Sequence, residues 1–337
     1  MHAAFVHAFG GPETLSLETA PDPAPGDGEV VVDIAATAAN FVDLLVIGGK
    51  YQFLPPIPFV PGKLPAGTVS AVGPGVAGLA VGDRVQTLAE QGGYATRVAV
   101  PAKDCIRLPE RMSFVEAAAM ALAYDTAWFA LMERARAKAG ETLLVLGATG
   151  GVGMAAVQLG KAYGLRVLAG VSSPAKAGLA TDAGADGIVD LSAADLREGL
   201  RRQVYDQNGG KGADVVLDPL GGDFFDAAVR AVAWRGRLVV IGFAAGRIPT
   251  LKMNYVLLKN MEVSGLQVSD YRKRTPDLMR HCYDEIFRLY EEGKLHAPPT
   301  TTFPLDRVAD ALVTLRDRKA AGRIVLLPAG EASSRIA

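Results

Sequence analysis

The chain predicts an α/β protein in two parts, a doubly wound parallel sheet and a smaller, partly closed β-barrel, on three observations. The stretch Glu141-Thr-Leu-Leu-Val-Leu-Gly-Ala-Thr-Gly-Gly-Val-Gly153 runs from a continuous apolar segment through a glycine-packed turn into a helical pattern. Behind it, apolar segments of strand length alternate with helical ones as far as Phe243. Ahead of it, residues 29–100 carry short β-rich segments punctuated by glycine and proline. A length of 337 residues is more than one comfortable core and fits two domains.

The alternating half begins with the strand ending at Leu146 and a helix over 151–163. A strand Arg166-Val-Leu-Ala-Gly-Val-Ser172 follows, then a helical stretch, a short strand Gly187-Ile-Val-Asp190 and a helix over 193–205. Strands Ala213-Asp-Val-Val-Leu-Asp218 and Arg237-Leu-Val-Val-Ile-Gly-Phe243 flank a helix over 224–233. Unbroken apolar runs separated by helices imply a parallel sheet covered on both faces.

Such a turn is a site for a dinucleotide. Gly150 can give the turn, Gly151 lets backbone approach a pyrophosphate, and Gly153 lets the helix pack close on the strand. The diphosphate then meets the unpaired N–H groups and positive dipole end of the helix. The candidate cradle is Ala148, Thr149, Gly150, Gly151, Val152 and Gly153, and Ala148 departs from GxGxxG, which asks for glycine there. A plain strand-to-helix turn reads the same from these residues alone; the strands and helices that follow favour the dinucleotide.

The end of the second strand speaks to the type of dinucleotide. NAD sites place Asp or Glu there for the ribose 2′-OH, whereas NADP sites accept a 2′-phosphate. Ser172 and Ser173 stand there, with Lys176 a helical turn on, and no carboxylate. Hydroxyls and a cation fit NADP(H). The alternative is that they only cap and solvate a helix.

Composition narrows the rest. The chain is 50% apolar with a net charge of −1, which gives no basic face for nucleic acid or an anionic membrane. Cys105 and Cys282 have no paired spacing, so neither a disulfide framework nor a cysteine zinc site is indicated, and both read as buried or half-buried thiols. The start Met1-His-Ala-Ala-Phe-Val6 enters a strand without signal-peptide features, and no apolar run was expected to approach a bilayer span. A cytoplasmic setting and a frayed tail over 329–337 are the expectations.

In the first third, Val30-Val-Val-Asp-Ile34, Gly67-Thr-Val-Ser-Ala-Val72 and Tyr94-Ala-Thr-Arg-Val-Ala-Val100 alternate with turn signals such as Gly73-Pro-Gly75 and Gly82-Asp83, which suggests the barrel. Helices over 276–292 and 305–319 and a strand over 323–327 are expected to return to it. The domains are then 1–123 with 267–337, and 124–266, with the coenzyme in the cleft between them.

Phe9-Gly-Gly-Pro-Glu13, Asn40-Phe-Val-Asp43, Gly49-Lys-Tyr51, Pro61-Gly62, Val81-Gly-Asp-Arg-Val85, Gly92-Gly-Tyr94, Tyr124-Asp-Thr-Ala127, the 148–153 turn, Asp218-Pro-Leu-Gly-Gly222 and Arg318-Lys-Ala-Ala-Gly-Arg323 occur in this order. Together they resemble the zinc-free, zeta-crystallin-like quinone oxidoreductases, a branch of the medium-chain dehydrogenase/reductase superfamily. The resemblance implies a GroES-like catalytic domain built from both chain ends, an inserted Rossmann domain, NADPH, and a homodimer joined through the nucleotide domains. It also implies reduction of a quinone or another activated α,β-unsaturated carbonyl. Zinc-dependent relatives carry Cys and His ligands where this chain has Asn40-Phe-Val-Asp43 and Pro61-Gly-Lys-Leu-Pro65, so no metal is expected. Without a Lewis acid, the acceptor must be electrophilic already, and the protein's task is positioning and charge stabilisation.

Position by position, the resemblance implies Asn40 at the nicotinamide ribose or the substrate oxygen, and Tyr51 as a nearby donor and proton source. From the residues alone, Asn40 could bond backbone at a strand end and Tyr51 could be a loop aromatic beside Phe53. Asp43 reads as structural, anchoring a helix start or an arginine. Thr126, Gly242, Phe243, Leu266, Gln267 and Arg323 are further candidate coenzyme contacts, each with a packing or surface alternative. Leu64 departs from the family's Pro-Gly-x-Glu, and an apolar group there predicts a drier pocket unless Leu64 points into the β core. Tyr51, Phe53, Leu64 and Tyr94 are the expected pocket residues, with the stiff loop Tyr51-Gln-Phe-Leu-Pro-Pro-Ile57 as one wall. Two alternatives to quinone reduction stand: reduction of activated alkenes (enones, acryl-type acids or thioesters), and a non-catalytic NADPH-binding, structural or nucleic-acid-associated role.

Overall fold

A computed structural model describes residues 1–320 and 322–328; the tail expected to fray, 329–337, lies outside the described residues. The chain divides into two compact units, Met1–Leu122 with Ala297–Ala337, and Ala123–His296.

In the second unit the strand Thr142–Leu146 is buried at all five positions, the consequence of an apolar run that must pack on both faces. Six strands lie in the order Gly187–Asp190, Arg166–Val171, Thr142–Leu146, Ala213–Asp218, Val232–Val240, Glu262–Gly265, and every neighbouring pair is parallel. Leu144, Leu168, Val216 and Leu238 of the sheet share one core with Leu200 and Val204 of the helix Leu196–Gln207 and Phe225 of the helix Gly222–Ala231. Strand order reverses between Thr142–Leu146 and Ala213–Asp218, and ligands of such sheets gather at the carboxyl ends beside that reversal. The glycine turn follows one of these two strands.

The expected return to the barrel at residue 267 is corrected. The helices Val268–Arg274 and Pro276–Glu291 belong to the second unit, and the chain rejoins the first only at Ala297. Met279, Cys282, Tyr283, Ile286, Leu289 and Tyr290 form the buried face of the longer helix, which packs against the helix Ala123–Trp128. Asp125 of that helix is fully buried, and Arg272 supplies its counter-charge at 2.7 Å. A carboxylate in this interior would be costly without that partner, so the ion pair ties 267–296 to this unit.

The first unit is organised on the eleven-residue strand Glu29–Ala39. Its sheet runs Thr300–Pro304, Arg323–Leu327, Glu29–Ala39, Ala66–Val72, Arg84–Thr87, Cys105–Arg107, with Arg97–Pro101 also pairing with Glu29–Ala39. Register shifts against Ala66–Val72 let the long strand bend, so that its first half pairs with Arg97–Pro101 and its second half with Arg323–Leu327. Val30, Val32, Val69, Val85 and Val100 fill one core of this partly closed barrel.

Contrary to expectation, one stretch, Phe114–Arg134, is apolar and long enough to pass as a bilayer span, but 78% of its most apolar window is buried inside the fold and it is broken into three helical segments. Cys105 and Cys282 are buried and unpaired; burial pushes the Cys105 thiol up to about 12 and the Cys282 thiol well above its ordinary value.

Candidate functional site

The second unit carries the glycine turn as the sequence suggested, with one reassignment. The left-handed residue is Gly147, at φ +63, while Gly150 is extended at φ −81. Gly147 therefore makes the sharp exit from the strand, and Gly150 precedes the twelve-residue helix Gly151–Ala162 as its N-cap. A Cβ on Gly153 would lie 2.2 Å from the Gly147 carbonyl oxygen, so only glycine permits this approach of helix to turn. A Cβ on Gly150 would meet nothing nearer than 3.4 Å. Ala148, the departure from the glycine pattern, is buried, and its N–H donates to the Gly170 carbonyl at 3.0 Å. Thr149, Gly151 and Val152 remain partly open at the helix start and Gly150 is exposed.

Ser172 follows the strand Arg166–Val171 as an exposed residue and Ser173 is half-buried. Lys176 closes a short turn over Pro174–Lys176, its N–H donating to the Ser173 carbonyl at 2.9 Å. Hydroxyls and a cation thus lie at the strand's carboxyl end, on the same edge as the glycine turn. A helix N-terminus entered through a turn that excludes Cβ atoms, with hydroxyls at the next strand end, fits the diphosphate and 2′-phosphate of a dinucleotide.

The other edge candidates divide. Gly242 and Phe243 lie just beyond the strand Val232–Val240, and Leu266 and Gln267 just beyond Glu262–Gly265, so all four are at the carboxyl edge. Leu266 donates its N–H to the Val240 carbonyl at 3.0 Å. Gln267 caps the helix Val268–Arg274, its side chain accepting from Ser269 N–H at 3.4 Å. Thr126 is buried, and its hydroxyl donates to Asp125 at 3.3 Å.

Asp218 is a residue that sequence reasoning passed over except as part of a motif. It is fully buried at the end of the strand beside the glycine turn, and Oδ1 accepts the N–H groups of Leu220 (2.8 Å) and Gly221 (2.9 Å). Its carbonyl accepts from Ile241 N–H at 2.8 Å, lacing this loop to the segment that carries Gly242. Burial pushes its carboxyl above the ordinary range, against these two backbone donors.

In the first unit, a connected polar cluster surrounds Asn40, the residue between the strand Glu29–Ala39 and the helix Phe41–Ile47. Arg323 donates from one terminal nitrogen to Asn40 Oδ1 at 2.7 Å and from Nε to the Ala119 carbonyl at 3.0 Å. Asn40 Nδ2 donates to the Ala38 carbonyl at 3.1 Å. Asp43 Oδ2 accepts the Asn40 backbone N–H at 2.8 Å and the Tyr94 hydroxyl at 2.7 Å. Burial pushes the Asp43 carboxyl up, opposed by the Tyr94 hydrogen bond and by the charges of Lys63 and Arg323. The Tyr94 hydroxyl is pushed well up by burial and by the neighbouring Asp43 charge.

Two expected pocket residues are corrected here. Tyr94 has no exposed surface and spends its hydroxyl on Asp43, so it is a core residue. Leu64 is 1% exposed and sits at φ +52, its carbonyl receiving Gln86 Nε2 at 2.5 Å, so its side chain is interior. The apolar residue in place of a glutamate is accommodated by the β core. Phe53 is exposed and Tyr51 half-buried against the barrel core, the two rings in edge contact at 6.4 Å between centres. Arg323, a candidate coenzyme contact, is buried and donates to Asn40 and Ala119. Lys63, which no sequence argument selected, is buried and paired to Glu90 at 2.6 Å. Among the described residues, no three His, Cys, Asp or Glu side chains group so that they could hold a metal ion.

A GroES-like barrel built from both chain ends and a doubly wound unit with a glycine turn define a medium-chain dehydrogenase/reductase. Residues 26–110 match the family described as alcohol dehydrogenase GroES-like domain, and residues 151–284 the one described as zinc-binding dehydrogenase. The quinone oxidoreductase-like protein 2 homolog of Nematostella vectensis is 35% identical over 304 residues, covering 89% of this chain and 82% of that protein. The solved quinone oxidoreductase of Pseudomonas syringae pv. Tomato DC3000 superposes with a TM-score of 0.89 at 31% identity, covering 97% of this chain and 99% of the other. Mycobacterial Rv1454c, solved in complex with NADPH, superposes with a TM-score of 0.90 at 32% identity, covering 97% of this chain and 100% of the other. The chain belongs to the quinone oxidoreductase branch of the superfamily, and it is an oxidoreductase.

Proposed function

We propose that the protein is an NADPH-dependent, zinc-independent quinone reductase. The observation that carries this reading is the glycine turn together with Ser172 and Ser173 at the next strand end, in a chain whose relatives include a quinone oxidoreductase and a protein solved with NADPH.

When bound, NADPH would supply the hydride, and reduction of a quinone to a hydroquinone would take one further proton from solvent or a side chain. The chain's own residues bind, orient and stabilise. The helix N-terminus at Gly151 receives the diphosphate, and Ser172, Ser173 and Lys176 receive the 2′-phosphate. Gly242, Phe243, Leu266 and Gln267 offer backbone and side-chain groups at the sheet edge, where such ligands gather. In the first unit, Asn40 Nδ2 donates to the acceptor's oxygen as negative charge develops, and Tyr51 donates beside it and supplies a proton. The stretches where zinc-dependent relatives carry Cys and His ligands read Asn40-Phe-Val-Asp43 and Pro61-Gly-Lys-Leu-Pro65, with neither Cys nor His among them, which supports metal independence. Turnover unchanged by a chelator, with no stoichiometric metal in the purified protein, is the expected result.

We extend the proposal to a homodimer through the second unit. Glu262–Gly265 is an edge strand, and the preceding helix Met253–Lys259 leaves Met253, Leu257 and Leu258 exposed, a surface suited to a second copy. A monomer by light scattering at micromolar concentration would remove this part.

The test is loss of NADPH absorbance with a benzoquinone, a naphthoquinone, an enone and a 2-substituted acrylate. Fast turnover of the quinones is expected. Preference for the enone or acrylate would move the assignment to alkene reduction, and tight NADPH binding without any turnover would make the protein a binding module. NADH is expected to perform at least about tenfold worse, and Ser172→Asp to narrow the gap, because a carboxylate repels the phosphate and accepts the ribose hydroxyl. Equal rates from both coenzymes would overturn the phosphate pocket.

A further inference from the structure

We propose that Arg323 is the positioning residue that fixes Asn40 as a hydrogen-bond donor toward the acceptor, and that it does so without touching the coenzyme. This rests on the reading of Asn40 given above. A side-chain amide has a carbonyl end and an NH2 end of nearly equal shape, so only its partners decide which way round it sits. Arginine can only donate, and it meets Oδ1 at 2.7 Å. The Ala38 carbonyl can only accept, and it meets Nδ2 at 3.1 Å. The two partners therefore demand the same orientation, and both Asn40 and Arg323 are more than nine-tenths buried.

The sheet builds this contact. Arg323–Leu327 pairs antiparallel with Glu29–Ala39 in the register Ile324↔Ala39, so the next rung sets Arg323 opposite Asn40, across 283 residues of chain. Its Nε is anchored on the Ala119 carbonyl at 3.0 Å, which fixes the plane of the guanidinium. A cation on Oδ1 draws electron density from the amide and strengthens the N–H at the other end as a donor. Among the described residues Nδ2 donates to the Ala38 carbonyl, and on this proposal its second hydrogen serves the acceptor's developing oxyanion. Asn40 cannot turn its oxygen toward that oxygen, because doing so would set Nδ2 against the guanidinium.

The test is a double-mutant cycle of Arg323→Gln and Asn40→Ala, with Arg323→Lys as the conservative variant. Arg323→Gln is expected to lower kcat with the preferred quinone by about tenfold to a hundredfold, with the NADPH Kd by fluorescence titration within twofold of the parent. In the Asn40→Ala background the same change is expected to lower kcat less than twofold, and Arg323→Lys is expected to restore part of the loss. Additive losses would overturn the proposal, as would a tenfold weaker NADPH Kd on Arg323→Gln alone, which would return Arg323 to the coenzyme. A readout independent of turnover is the Asn40 side-chain NH2 resonance in 15N-asparagine-labelled protein, expected to shift in Arg323→Gln and to stay split and protected in the parent. An unshifted resonance would overturn the proposal even if the quinone assignment held. A shifted resonance in a protein that turns over no quinone would uphold the orientation and overturn the quinone assignment instead.

Discussion

The glycine turn of the second unit and the polar cluster of the first are built in opposite ways. At the turn, the groups that set its backbone shape lie within a few residues of Gly150: the left-handed Gly147, the N-cap, and Gly153 against the Gly147 carbonyl. At the cluster, Asn40 is oriented by Arg323 and Asp43 is held by Tyr94, partners 283 and 51 residues away. The turn is a backbone device, in which absent side chains matter. The cluster is a side-chain device, in which buried charge is balanced by donors. Changes at the first should therefore act through shape and abolish binding, whereas changes at the second should act through electrostatics and be graded.

The largest expected effect is Gly153→Val. Its Cβ has no room beside the Gly147 oxygen, so the helix must move away from the turn and NADPH affinity should fall more than about a hundredfold by fluorescence titration. Gly178→Ala provides the contrast, since nothing lies within 4 Å of the added Cβ, and it should leave binding unchanged. Retained NADPH affinity in Gly153→Val would mean that the coenzyme does not use this turn.

Tyr94→Phe should produce a smaller loss. It removes a donor from the buried Asp43 carboxyl without changing the shape of the ring, which should cost about 1–3 kcal/mol in a urea titration. An unchanged midpoint would show that Asp43 has a substitute donor and that the cluster is less tightly specified than its geometry indicates.

The smallest effect is on the pH dependence of stability. Burial raises the Asp43 carboxyl in the folded state, so from the ordinary carboxylate range up to its raised value the folded protein holds a proton that the unfolded chain has released. Stability from this group is then full below the unfolded value and declines as pH rises through the folded one. Asp43→Asn should flatten that component in thermal unfolding across mildly acidic pH, and an unaltered slope would show that the opposing donors and cations dominate.

Much of the second unit could be read from residue patterns. The strands at Gly187–Asp190 and Ala213–Asp218 and the start of the helix at Gly151 stand where apolar runs and glycines put them. The boundary at residue 267 was not readable, because the apolar stripe of Pro276–Glu291 states that this helix is buried and not against which partner; buried Asp125 and its pairing with Arg272 decide that. Leu64 and Tyr94 were misplaced for a similar reason. A residue type near a family motif indicates a neighbourhood, and the direction of the side chain depends on backbone angles such as φ +52 at Leu64 and on a partner such as Asp43.

The amino-acid order alone determined the two-part architecture, the turn and the absence of a carboxylate where Ser172 stands, because periodicity, glycine geometry and residue chemistry are local properties. Which nitrogen faces Asn40, which residues balance Asp43, and which unit receives residues 267–296 were settled only by folding. Those depend on distances between groups far apart in the chain, and on the cost of leaving a buried charge or amide without a partner.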